Sequence, residues 1–180
     1  ALIAFGLGVV CFHNLLDPIR LVPTDALFPL WARLHQRDVI ALPFGFVAKT
    51  TYPILPWLGV IALGFGIGNW FRADVAVETR QRRLLLLGAG MIGAFILLRL
   101  LDVYGDKPWS VVAGDPVRTV ISFISLTKYP PSLLFLLPTL GVGALLLVLF
   151  EQMNGSRLVA ALAVFGAAPM FFYLFHLTVL

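Results

Sequence analysis

Three long apolar segments constrain what this chain can fold into more than any other feature. They occupy residues 52–71, 84–101 and 130–150. The only charged side chain in them is Arg99. A helix crosses the roughly 30 Å hydrocarbon core of a membrane in about 20 residues, so each segment is long enough to span it. Two further apolar runs lie at the ends of the chain, at 1–12 and 158–180. We therefore expect about five membrane helices.

Composition excludes an ordinary soluble domain, because 60% of the residues are apolar and 12% are charged. The segments are apolar on every side, whereas strands of a membrane barrel alternate with a period of two. The expected fold class is therefore all-α, a polytopic transmembrane helix bundle with residues 1–180 as one domain. Both ends of the sequence are apolar and no basic leader precedes the first run. We expect the chain to be the C-terminal part of a longer membrane protein.

Arginine placement predicts the orientation. The short connection 72–83 carries Arg72, Arg80, Arg82 and Arg83, which favours the cytoplasmic side. The long connections 13–51 and 102–129 then lie outside. The net charge of +4 is explained by this pattern, so nucleic acid is not an expected partner. Within the first outer connection, residues 25–37 predict either a short amphipathic helix along the membrane or an ordered loop. Its apolar side would contain Leu27, Phe28, Leu30, Trp31 and Leu34.

Three residues are candidates for catalysis at the outer side. His13 and Asp17 are four residues apart, the spacing at which a carboxylate can orient an imidazole on a continuing helix. His176 lies near the outer end of the last segment. Each histidine has the ordinary alternative of a hydrogen-bonded structural residue. Cys11 is the only cysteine, and the histidine spacing does not suggest a metal site.

Five polar residues at the same side are candidates for binding a substrate: Arg99, Asp102, Lys128, Tyr129 and Tyr52. Arg99 and Asp102 are three apart and could form an ion pair on one helix face, although Arg99 could instead extend to the interface. We expect the first four to form one cluster that joins the third and fourth helices. Asp106 is the alternative carboxylate for that cluster.

Glycines and prolines inside the segments predict packing and bends. Gly88, Gly90 and Gly93 spell a nucleotide-binding pattern, but they lie inside a spanning segment with no preceding strand. We interpret them, with Gly64 and Gly68, as positions of close helix approach. Pro138 and Pro169 are interior and can bend their helices, opening a cavity. These features also fit a transporter or a lipid-binding membrane module, although no inverted repeat is visible.

Five sequence blocks carry a resemblance to a known family. They are HNLLD (13–17), YPILPWLGV (52–60), LDVYGDKPWS (101–110), SLTKYPPSLLFLL (125–137) and APMFFYLFHL (168–177). These blocks resemble the signatures of a bacterial membrane family grouped with the catalytic domain of heparan-alpha-glucosaminide N-acetyltransferase. The resemblance covers nearly the whole chain.

The resemblance implies a transmembrane acyltransferase in the bacterial cytoplasmic membrane. Such a protein moves an acyl group from cytoplasmic acyl-CoA, its co-substrate, to a sugar or other envelope acceptor on the far side. A homo-oligomer and contact with membrane lipid are also expected. The histidine central to the lysosomal relative belongs to a block absent from this sequence, so the resemblance does not assign that role to His13.

Overall fold

The computed structural model describes residues 1–179, and these are predominantly helical. The helices are α1 (Leu2–Phe12), α2 (Phe28–Leu34), α3 (Leu55–Ile67), α4 (Val77–Leu101), α5 (Pro116–Ile124), α6 (Leu133–Gln152), α7 (Arg157–Ala167) and α8 (Pro169–Val179). The described part has a single sheet, an antiparallel hairpin of β1 (Val39–Ala41) and β2 (Val47–Lys49). The predicted all-α class is confirmed.

All five apolar segments are helical, but they differ in length. Within residues 1–179, only α4 and α6 are long and apolar enough to cross a membrane as single helices. Helices α7 and α8 together form a third candidate, bent by 73° where Ala168 precedes Pro169. Short 3₁₀ turns extend α1 to Leu16 and α3 to Phe71. The bend predicted at Pro169 is thus present, whereas Pro138 lies inside an uninterrupted α6.

Two antiparallel helix pairs form the body of the protein, α1 with α3 and α4 with α6. A β-carbon added to Gly88 would lie 2.8 Å from the carbonyl oxygen of Gly141, so α4 and α6 touch there through their backbones. In the other pair, a β-carbon on Gly6 would lie 2.8 Å from the carbonyl oxygen of Gly59. The prediction of close approach holds for Gly88. It is wrong for the remaining glycines of that set, which have open space around them: Gly64, Gly68, Gly90 and Gly93.

The two pairs are joined at one end, which we call the polar end (residues 13–54 and 102–132). The Tyr104 hydroxyl donates to the carbonyl of Cys11 at 2.7 Å. The Leu133 amide donates to Oδ1 of Asn14 at 2.8 Å, linking the start of α6 to the end of α1. The opposite end, with residues 68–83 and 151–157, we call the basic end. Both connections expected on the outside therefore lie at one end of the protein.

The connection between α1 and α3 is folded rather than loose. Of the two alternatives left open for residues 25–37, the structure has the helix, α2, which is shorter than that range. It buries Phe28 and Ala32 against Ile40 of the hairpin, while Leu27 and Leu30 stay exposed. The hairpin and α5 are not anticipated by the sequence patterns, because both are short and lie outside the apolar segments.

Candidate functional site

A cleft of about 430 Å³ opens at the polar end. The polar side chains that line it include Asn14, Asp17, Arg20, Asp106, Lys107 and Tyr129. These residues come from the connection after α1 and from the connection between α4 and α6. The close joining of the two helix pairs brings the two connections together and so forms the cleft.

Asp106 organises one wall of the cleft. Its Oδ1 accepts from the Lys107 amide at 2.7 Å and from the Thr127 hydroxyl at 2.6 Å. Its Oδ2 accepts from the Thr127 amide at 2.7 Å and from the Ser132 hydroxyl at 2.6 Å. The hydroxyl oxygen of Ser132 in turn accepts from the Phe135 amide and caps α6. Because four donors already occupy the carboxylate, Asp106 fixes the loop rather than offering a free charge.

The predicted ion pair between Arg99 and Asp102 is wrong. Arg99 is buried, and its guanidinium donates to backbone carbonyls of Lys107, Ser122, Phe123 and Ser125. Asp102 ends α4 in the left-handed conformation, with φ of 52°, and its Oδ1 lies 3.4 Å from the amide of Trp109. A buried guanidinium needs acceptors, and here carbonyls supply them instead of a carboxylate. Arg99 therefore holds α5 against the end of α4.

Lys128 and Tyr129 belong to a different group of side chains. The ring of Tyr129 has Lys128 Nζ at 5.2 Å and Arg37 Cζ at 5.6 Å from its centroid. The Tyr52 ring meets it edge-on at 5.0 Å, and the two hydroxyls are 3.3 Å apart. The structure thus divides the expected single cluster into two groups. The Tyr52 hydroxyl, followed by Lys128, lowers the pKa of Tyr129, because both stabilise its phenolate.

Asp17 pairs with His35 and not with His13. Its Oδ1 accepts from Nε2 of His35 at 2.9 Å, and its Oδ2 accepts from the side-chain Nδ2 of Asn14 at 2.9 Å. Burial alone would raise the pKa of Asp17, but the hydrogen bonds from His35 and Asn14 outweigh burial and lower it. Sequence reasoning missed His35, although its position one helical turn after Trp31 at the end of α2 was a usable signal.

His13 is buried and occupies a structural position. Its Nδ1 lies 3.1 Å from the carbonyls of Val9 and Val10, and its Nε2 lies 2.9 Å from the carbonyl of Pro131. Carbonyls only accept, so whichever ring nitrogen carries a proton has an acceptor within reach. His13 joins α1 to the start of α6 beneath the cleft and does not line it.

His176 lies on the exposed surface of α8 and does not line the cleft. Among residues 1–179 we find no hydrogen bond from its ring. In the same part of the chain, groups of three histidine, cysteine or carboxylate side chains suited to a metal ion are absent. The structure therefore brings Asp17 and Tyr129 to the cleft and leaves His176 apart from them.

The basic end carries a second, shallower groove of about 380 Å³ between the start of α4 and the end of α6. Arg80 donates from Nε to Oε1 of Glu151 at 2.6 Å there. Arg80 also lies over Phe71, and Arg83 lies over Trp70 at 5.8 Å. Cations and aromatic rings thus meet at the end opposite the cleft.

Comparisons of the chain with protein-family models, curated proteins and solved structures give no match.

Proposed function

We propose that this chain is part of an integral-membrane acyltransferase that moves an acyl group from acyl-CoA at the basic end to a sugar or envelope acceptor at the polar end. The observation that carries the proposal is the cleft, which offers hydrogen-bonding groups and an Asp17–His35 pair at one end of apolar helices. The sequence blocks that resemble the N-acetyltransferase family supply its expected chemistry. Three of those blocks, around Asp17, Asp106 and Tyr129, contribute cleft residues.

The cleft suits a polar acceptor for reasons of charge and shape. Asp17 remains partly exposed, at 45% of its side chain, and offers acceptor oxygens to a hydroxyl or amine. Arg20 and Lys107 are exposed cations on the same walls and can stabilise the oxyanion that develops as an acyl group transfers. A volume of about 430 Å³ fits a sugar-sized ligand.

The groove at the basic end is the proposed side of acyl-CoA. Arg80, Arg82 and Arg83 lie near it in sequence and supply positive charge for phosphate groups. By the positive-inside rule, the same arginines favour a cytoplasmic position for this end, the side on which acyl-CoA is found. The two sites are thereby separated along the α4–α6 pair, as transfer across a membrane requires.

A transporter or lipid-binding module is the second candidate. The observation that favours it is the 73° bend between α7 and α8, since broken helices commonly line transport sites. Neither α7 nor α8 contributes a lining residue to the cleft, so the bent pair and the cleft are separate features. The polar cleft therefore supports the enzyme independently of the bend.

The test is acyl transfer by the full chain in sealed lipid vesicles. Labelled acetyl-CoA is supplied on the side of the basic end, and envelope glycans or amino sugars are supplied on the other. We expect label in the acceptor, and we expect Asp17→Asn to lower that transfer. Asp74→Asn is the matched control, because Asp74 forms an exposed pair with Arg72 at the opposite end. Movement of a solute without acylation of any acceptor would support the transporter instead.

A further inference from the structure

The two ring nitrogens of His35 differ: Nε2 forms a hydrogen bond, whereas Nδ1 has no partner within residues 1–179. Its side chain is 4% exposed, and Nε2 donates to Asp17 at 2.9 Å. Within residues 1–179, Nδ1 has no hydrogen-bond partner although it is buried. With the proton on Nε2, Nδ1 carries a free lone pair. A buried polar atom without a partner is unfavourable, so it calls for an explanation.

A small side pocket adjoins this ring. Its volume is about 10 Å³, close to the minimum that holds one water molecule. Asp17, Arg20, His35 and Gln36 supply polar groups to its lining, which meets the need of a buried water for several partners. Asp17 and Arg20 also line the main cleft, so the two spaces share a wall.

We propose that His35 is the proton-accepting group of the polar end, connected by one water in the side pocket to an acceptor bound in the cleft. This inference rests on the proposed acyl transfer and adds the residue that removes the proton. Asp17 orients the ring by holding the proton on Nε2, which leaves the Nδ1 lone pair basic.

The neighbouring candidates are less suited to this role. Asp17 already accepts from His35 and Asn14, and its lowered pKa makes it a weak base. Both nitrogens of His13 face carbonyls, so the ring of His13 has no free acceptor site. The Tyr129 hydroxyl is engaged with the Tyr52 hydroxyl at 3.3 Å. Only His35 combines a free lone pair with a carboxylate on its other nitrogen.

Acyl transfer at the polar end moves one proton to His35 and exchanges a carbon–sulfur bond for a carbon–oxygen bond. The acceptor hydroxyl gives its proton to the water, and the water gives one of its own protons to Nδ1 of His35. Once the pantetheine arm of acyl-CoA has brought the thioester from the basic end to the cleft, the acceptor oxygen uses its electron pair to bond to the thioester carbonyl carbon. The carbon–sulfur bond breaks, and the thiolate leaves with the electron pair and takes a proton from solvent. His35 then returns its proton to bulk water through the side pocket.

The first test reads the ring directly in the full chain, labelled with ¹⁵N-histidine in lipid nanodiscs. We expect the His35 signal, assigned by its loss in His35→Gln, to show that the neutral ring carries its proton on Nε2 and not on Nδ1. A proton on Nδ1 of the neutral ring would overturn the proposal, because Nδ1 would then have no lone pair with which to accept a proton. This result does not depend on any enzymatic activity.

The second test uses acyl transfer. Glutamine at position 35 can still donate to Asp17 but cannot accept a proton, so His35→Gln should lower kcat by about 10²–10⁴-fold with little change in the KM for the acceptor. Arg33→Gln is the matched control, since Arg33 is exposed on the same helix and its side chain bonds only the carbonyl of Pro29. Unchanged kcat in folded His35→Gln would refute the inference. Absence of transfer by the unmodified protein would instead refute the proposed function, and the nanodisc spectrum would then decide the state of Nδ1.

Discussion

Replacement of Arg99 by methionine is expected to destabilise the protein strongly. The Arg99 side chain is 1% exposed. Its guanidinium donates to the carbonyls of Lys107 at 2.7 Å, Phe123 at 2.8 Å, Ser122 at 3.0 Å and Ser125 at 3.2 Å. Three of these carbonyls lie around the C-terminus of α5, where a helix leaves its last acceptors without internal partners. Methionine keeps the apolar stem and removes every donor.

The magnitude follows from the number and kind of bonds. A hydrogen bond to a charged group contributes about 1.5–3 kcal/mol, so four independent bonds would contribute about 6–12 kcal/mol. Bonds from one guanidinium are not independent, and carbonyls near the surface regain water once α5 loosens. Loss of one partner from a buried charged arrangement is typically about 3–5 kcal/mol, which is the loss we expect for Arg99→Met. Arg99→Lys should lose roughly half as much, because an ammonium lacks the planar fork.

Trp109 supplies the reporter for this experiment. Its indole Nε1 donates to the carbonyl of Arg99 at 2.8 Å, and its ring packs edge-on against Phe123 at 5.1 Å. Unfolding in detergent is followed by tryptophan fluorescence, with Arg72→Met as the control because Arg72 forms only an exposed ion pair. A loss below about 1 kcal/mol for Arg99→Met, the range of an exposed pair, would refute the structural role. Normal stability with lost acceptor binding would restore the original assignment of Arg99 to substrate.

Three further predictions concern packing, pH and orientation. Gly88→Ala should lower stability by about 1–3 kcal/mol, because the added β-carbon meets a backbone carbonyl of α6. Gly90→Ala has open space around the added β-carbon and should stabilise the helix by about 0.5–1 kcal/mol. Unfolding in detergent compares the two variants. Folding lowers the pKa of Asp17, so the contribution of this carboxylate to stability is present above its unfolded pKa and is lost as pH falls through its folded pKa. Below about pH 4, the free energy of unfolding should therefore fall less with decreasing pH in Asp17→Asn than in the unmodified protein. An unchanged pH dependence would contradict this. In intact cells, with the native cysteine removed, a cysteine near Lys107 should react with an impermeant thiol reagent added outside and one near Arg80 should not; the reverse pattern would invert the proposed orientation.

Local pattern was enough to predict the helices of the five apolar segments. Runs apolar on all sides have one stable backbone arrangement in lipid, so the five segments and the break before Pro169 could be expected without knowing any contact. The short helix over Phe28–Leu34 was also within reach, because its apolar spacing has the helical period. The hairpin was not, since Phe44 and Gly45 turn the chain with positive φ in a segment too short for a pattern.

The partners of the polar side chains depended on tertiary structure. Spacing of four residues suggested that Asp17 holds His13, but the 3₁₀ turn after α1 and the return of α2 present His35 to that carboxylate instead. Arg99 and Asp102 share a helix face, yet the guanidinium is better satisfied by four carbonyls that α5 brings to it from more distant positions in the chain.

The sequence by itself therefore determined which segments are helical and apolar, and that polar residues gather where those segments end. The tertiary structure decided which of these residues meet, which one keeps a free lone pair, and where the cleft lies. The physical reason is the separation in sequence between the residues that interact. Hydrophobic periodicity acts within one turn of helix and can be read from neighbouring residues. A hydrogen bond needs two atoms within about 3 Å, which residues distant in sequence reach only after the chain has folded.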